Sequence, residues 1–173
     1  MLRPPLRTAC RYAVGLFIAA MIMQTWLVMG LIVPVVVSGS SMAPTLQPGS
    51  RLIVDRAAFV VRRPQRWDVV VFRCPDRADE FCVKRVVGLP GDSVELIAGE
   101  LFVNGQRVVK QVSRLPFPAD LAGEAPAPRT WRLGPAEYFV VGDNAAISDD
   151  SRSWVPNGAL DAKLLIGKPF GVR

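Results

Sequence analysis

Residues 68–87 read DVVVFRCPDRADEFCVKRVV. Two β-branched runs, 68–73 and 82–87, stand on either side of a polar turn over 75–80, the pattern of two strands joined by a hairpin. Similar short runs lie outward in both directions. Residues 51–55 follow a Pro48-Gly49 turn, and 93–97 follow the turn Leu89-Pro90-Gly91-Asp92. Residues 101–103 and 107–109 flank Asn104-Gly105, a strong two-residue hairpin signal. Residues 138–141 read as a strand leading into Gly142-Asp143-Asn144, and 162–172 as a last strand. Residues 115–129 carry four prolines and read as an irregular excursion. Helical periodicity, internal repeats and low-complexity tracts are absent from this part, which is therefore mainly β, built of short crossing strands.

Upstream the composition changes. Residues 12–37 read YAVGLFIAAMIMQTWLVMGLIVPVVV, no charged residue occurs from Tyr12 to Ser50, and Arg3, Arg7 and Arg11 precede the run. As a helix these residues would extend about 39 Å, enough to cross a hydrocarbon core of ~30 Å. A buried soluble helix this long and apolar all round does not suit so small a protein. A cleaved signal peptide has a shorter apolar core and a small-x-small exit, which this run lacks. The reading is one transmembrane signal anchor over 12–37, after a cytoplasmic N-terminus over 1–11. Arginines on the N-terminal flank alone place that end in the cytoplasm and residues 38–173 on the outer side of the plasma (inner) membrane.

The net charge is +6, but no basic run with interleaved aromatics points to nucleic acid, and a basic surface near anionic lipid head groups fits better. The three cysteines are too few for a disulfide scaffold. Cys10 reads as a free thiol at the cytoplasmic edge. Cys74 and Cys82 could face one another across the hairpin; geometry decides between a bridge and two thiols. A zinc site has no further cysteine or histidine to complete it.

The chain has no histidine, so a Ser-His-Asp triad is impossible, and an activated serine needs another base; lysine is the known substitute. Lysine is scarce, four against seventeen arginines, and arginine stays protonated. Lys84 lies in a strand between valines, where burial lowers an amine's pKa; unperturbed, about one lysine in a few thousand is neutral at pH 7. Taken singly, Lys84 reads as a surface lysine, Ser41 as a turn serine before Pro44, and Asp143 and Asp150 as loop carboxylates or metal ligands. Their joint order behind a membrane anchor changes that reading.

Ser-Met-Ala-Pro-Thr-Leu (41–46), Lys-Arg-Val-Val-Gly-Leu-Pro-Gly-Asp (84–92), Gly-Asp-Asn (142–144) and Ser-Asp-Asp-Ser-Arg (148–152) with Trp154 together resemble the type I signal peptidases, a serine-lysine peptidase family. The 68–72 strand and the late Gly167-Lys168 are similar too. The resemblance implies a signal-peptidase-like β domain with a small variable insertion over about 98–136. It implies Ser41 as nucleophile, Lys84 as general base, Ser148 orienting that lysine, and the Ser41 backbone N–H as an oxyanion donor. Met42 would line the substrate floor, while Arg85 with Asp143 and Asp150 with Arg152 would support the site. Gly39 stands where some members carry a serine that completes the oxyanion hole, so a second donor is not assigned. Ala145 replaces the usual arginine after Gly-Asp-Asn, and Val155 a glycine after Trp154. The implied activity removes signal peptides with small residues at the first and third positions before the cut, through an acyl-enzyme and without metal or cofactor. A translocation machinery is an implied neighbour. Two other readings stay open: a peptidase of the same mechanism that matures one pilin or conjugation substrate, and an inactive membrane-anchored domain that binds preproteins.

Overall fold

The computed structural model describes residues 6–108, 128–154 and 157–172, without the side chains of 6–10, 26–29 and 78. Helix α1 (Leu6–Leu31) runs directly into strand β1 (Ile32–Val36). The apolar stretch read as one span to Val37 is thus divided at Leu31, and its last residues belong to the β domain. Among the described residues no helix is long and apolar enough to cross a membrane; α1 itself has 26 residues, some without described side chains. Within it the Thr25 hydroxyl donates to Met21 O at 2.8 Å, so this polar group is satisfied inside its own helix.

Among the described residues ten further strands and one short helix complete the main elements: β2 (Arg51–Asp55), α2 (Ala58–Val61), β3 (Val69–Cys74), β4 (Arg77–Gly88), β5 (Ser93–Ile97), β6 (Glu100–Val103), β7 (Gln106–Arg107), β8 (Arg129–Arg132), β9 (Glu137–Val141), β10 (Leu160–Asp161) and β11 (Leu165–Pro169). A seven-stranded sheet has the order β1-β2-β11-β3-β4-β9-β10, and a four-stranded sheet the order β7-β6-β5-β8. β1 is an edge strand, the place where Pro34 does least harm to a ladder. Residues 162–172 are not one strand: Asp161 caps a 3₁₀ turn (Ala162–Leu164) by accepting from Lys163 N–H, and β11 follows. Asn104 and Gly105 take the positive φ values, 52° and 74°, that a tight hairpin requires, and pair Val103 with Gln106. The second β unit begins at Ser93 and so includes strands outside the insertion expected over 98–136; residues 109–127, including most of the proline-rich excursion, lie outside the described residues.

β3 explains how the large sheet is held. Val69 to Phe72 are fully buried because both faces are covered. Val69 and Val71 pack with Val35, Met42, Leu46, Leu52 and Val54; Val70 and Phe72 pack with Val86, Tyr138, Val140, Trp154 and Leu160. A third cluster joins the sheets, with Val87, Phe139 and Val141 of the large one against Val94, Leu96 and Leu101 of the small one. These clusters fix three chain segments relative to one another: the 37–50 loop, β4, and the loop after β9.

Candidate active site

Those three segments converge. The 37–50 loop carries Ser41 and is anchored by its next residues, since Met42 and Leu46 are buried in the core beside β3. β4 carries Lys84, in register opposite Val70. Lys84 Nζ donates to Ser41 Oγ at 2.7 Å. The lysine is only 5% exposed, and burial drives its pKa below the usual 10.5. Asp150 and Asp149 oppose that shift by favouring the ammonium, while Arg152 and Arg77 add to it.

The carboxylates of the third segment are committed to arginines. Asp143 takes a two-pronged contact from Arg85, Nε to Oδ1 at 2.7 Å and Nη2 to Oδ2 at 2.6 Å, and also accepts from Thr45 Oγ1 at 2.5 Å. Arg85 Nη1 donates to Trp67 O at 2.9 Å. This links β4, which holds the lysine, to the loop that holds the serine. Both ions are almost wholly buried, and removing one partner from such a pair costs about 3–5 kcal/mol. Asp150 is bound in the same two-pronged way by Arg152, at 2.7 Å on each oxygen, and accepts from Gly142 N at 2.9 Å. The backbone is tied as well: Asn144 N donates to Ser41 O at 2.9 Å, and Asn144 Nδ2 to Ser40 O at 3.3 Å.

Ser148 departs from expectation. Its hydroxyl is buried beside the site but has no hydrogen-bond partner among the described residues, so the anticipated bond to Lys84 is not made. It packs instead against Gly142. A Cβ at Gly142 would come within 2.3 Å of Ser148 Oγ and 2.4 Å of Ser41 O, so only a glycine lets these strands of the site approach so closely. At Gly39 the reverse holds, and a Cβ there would meet nothing within 4 Å.

A cleft of about 380 Å³ opens on the dyad, lined by Val35, Val37, Gly39, Ser41, Met42 and Lys84 among others. Met42 contributes to this lining, although nearly all of its side chain is in the core. The opposite wall is the β3–β4 hairpin, where Cys74 and Cys82 are joined in a disulfide. Three contributors escaped the sequence reading. β1 was hidden inside the apolar run, Thr45 pairs with a residue 98 positions away, and Gly142 acts through the side chain it lacks. The motifs Ser41–Leu46 and Gly142–Asn144 contain the last two but do not reveal their contacts.

The site thus brings together a serine, a buried amine in contact with it and a cleft beside both. The family model "Signal peptidase, peptidase S26" matches residues 10–172, and the chain belongs to that family. It is 35% identical over 139 residues to a "Probable signal peptidase I-2" of Synechocystis, covering 78% of this chain and 59% of the relative. It is 34% identical over 127 residues to "Signal peptidase I V" of Bacillus subtilis, covering 69% of this chain and 74% of that protein. The crystal structure of a signal peptidase I from Enterococcus faecalis is similar with a TM-score of 0.46 and 26% identity, over 62% of this chain and 97% of that one. So loose a superposition adds nothing to the assignment.

Proposed function

We propose that this chain is a membrane-anchored serine endopeptidase that removes N-terminal signal peptides from exported preproteins, with Ser41 as nucleophile and Lys84 as general base. The observation that carries the reading is the 2.7 Å contact between Lys84 Nζ and Ser41 Oγ, at a lysine whose burial disfavours its charge. Neutral Lys84 takes the hydroxyl proton as Ser41 Oγ bonds to the scissile carbonyl carbon, and the carbonyl electron pair moves onto oxygen. The Ser41 backbone N–H is aimed at that oxyanion. Collapse breaks the C–N bond, and the Lys84 ammonium returns its proton to the departing amine. Lys84 then takes a proton from water, which attacks the serine ester, frees the new carboxyl end and restores Ser41.

The substrate is an extended peptide. β1 ends the large sheet, and its neighbour Val37 and its own Val35 line the cleft, so a strand added there meets both backbone groups and dyad. Residues two apart on a strand share a face, which suits a rule requiring small residues at the first and third positions before the cut. The anchor is α1. Its Leu16, Phe17, Ile22 and Met23 stand largely exposed, as a bilayer would have them, and the arginine-flanked N-terminus lies in the cytoplasm. The catalytic domain then faces the outer side of the inner membrane, near the machinery from which exported chains emerge.

Incubating the purified full-length protein with Ala-x-Ala preproteins and sequencing the new N-termini tests the proposal. Ser41→Ala and Lys84→Ala should each abolish cleavage, while Lys163→Ala, on the exposed 3₁₀ turn, should leave it intact. Undiminished turnover by Lys84→Ala overturns the mechanism.

A further inference from the structure

The connection from β2 to β3 takes no part in the dyad, yet it is chemically distinctive. Residues 56–67 hold Arg56, Arg62, Arg63 and Arg66 and not one Asp or Glu. At its centre α2 presents Val60 and Val61 at 84% and 87% exposure. Single exposed valines are ordinary, but an adjacent pair raised this far, on a short helix with no buried residue, leaves an apolar tip that none of the described residues covers. A second cleft, of about 300 Å³, lies against α2 and is lined by Arg56, Phe59, Arg63, Tyr138, Leu165 and Ile166 among others. It shares no lining residue with the dyad cleft.

Charge and position narrow what this face meets. Arg62 and Arg66 are engaged by Asp68 and Asp92 at 3.1 and 3.0 Å. Arg56 and Arg63 have no acidic partner among the described residues, and both are exposed. The Arg56 backbone N–H donates to Leu31 O at 2.8 Å, and its guanidinium reaches Gly30 O at 3.5 Å. The segment is therefore fastened to the last turn of α1, and any surface at the end of that helix also meets α2.

We propose that the 56–63 segment is a docking site for anionic phospholipid: Val60 and Val61 enter the interfacial layer of the bilayer, and Arg56 and Arg63 hold headgroup phosphates at the adjoining cleft. The inference rests on the reading of α1 as a membrane anchor. Two guanidiniums without counter-charges beside apolar walls suit a phosphodiester that carries acyl chains. Another copy of this basic chain would bring like charge to the same place.

The test is amide hydrogen exchange of residues 56–63 in the full-length protein, reconstituted into vesicles of phosphatidylcholine alone or of phosphatidylcholine and phosphatidylglycerol in equal parts. Exchange should be slower with phosphatidylglycerol. The slowing should be lost in Arg56→Glu with Arg63→Glu and in Val60→Ser with Val61→Ser, and kept in Arg107→Glu with Arg132→Glu, which makes the same charge change at exposed positions of the four-stranded sheet. Equal exchange in both vesicles, with the chain still resisting alkaline extraction, overturns this inference and leaves the anchor standing. A chain extracted at alkaline pH overturns both. Equal slowing by soluble glycerol phosphate in phosphatidylcholine vesicles would mark a free-phosphate site and refute the lipid assignment.

Discussion

Lys84 carries a conflict between stability and chemistry. Folding lowers its pKa below the 10.5 that the unfolded chain retains. Between those two values the unfolded state binds the extra proton, so this residue's contribution to stability is poorest below the folded pKa and recovers as pH rises to 10.5. The proposed mechanism needs the neutral amine, so turnover should rise with pH and level off above a midpoint that lies below 10.5. A pH profile of kcat that stays flat from pH 5 to 10 would contradict a titrating base. Lys84→Met should be inactive and yet about 1 kcal/mol more stable at pH 7, because it replaces a buried amine with an apolar side chain of similar length; its Tm gives the answer. Gly142→Ala tests the closest approach in the site. The added methyl collides with Ser148 Oγ and with the Ser41 carbonyl, so kcat should fall by about 100-fold or more as the nucleophile is displaced. Adding Ser148→Ala should not restore it, because the Ser41 carbonyl is backbone and cannot be trimmed.

At the scale of elements, the β3–β4 hairpin both supports and faces the dyad, since Lys84 follows Cys82 by two residues on the same strand. Closing the eight-residue separation between Cys74 and Cys82 stabilises the fold by about 2–3 kcal/mol, chiefly by restricting the unfolded chain. Cys74→Ser with Cys82→Ser should lower the denaturant midpoint accordingly, and a reductant should reproduce the loss in the parent protein without further effect on the double variant. Legibility in the sequence also divided by element. β2 and β5 are found at the bounds read from the turns that precede them, and β3 and β4 were evident from consecutive β-branched residues. β1 was not, because Ile32–Val36 is as apolar as the helix before it, and Gly30 and Pro34, which flank its start, were absorbed into one uncharged run. β8, Arg129–Arg132, was lost behind the prolines. Residues 162–164 turned out to be a 3₁₀ turn because Asp161 caps it, a local bond that strand periodicity does not register. Of the site, the meeting of Lys84 with Ser41 could be expected from motif order, in a chain whose lack of histidine excludes a Ser-His-Asp triad. The Thr45–Asp143 bond and the idle Ser148 hydroxyl depend on packing between distant segments, which spacing does not encode.

For the whole molecule, what matters is how the catalytic cleft is coupled to α1. Helix and sheet share a peptide bond, Leu31 belonging to one and Ile32 to the other, and Arg56 N–H closes the joint by bonding to Leu31 O. Inserting a Gly-Ser-Gly-Ser segment between Leu31 and Ile32 should leave Tm of the β domain nearly unchanged. It should lower cleavage of membrane-inserted preproteins far more than cleavage of a short soluble peptide, an outcome read by running both substrates in parallel. With α1 as the proposed anchor, the joint makes β1 a spacer of five residues, about 17 Å when extended. The enzyme then works as a ruler, whose fixed arm sets the height above the lipid at which a peptide bond can be cut. Two substrates with identical residues around that bond would be told apart by how far each bond stands from the membrane surface.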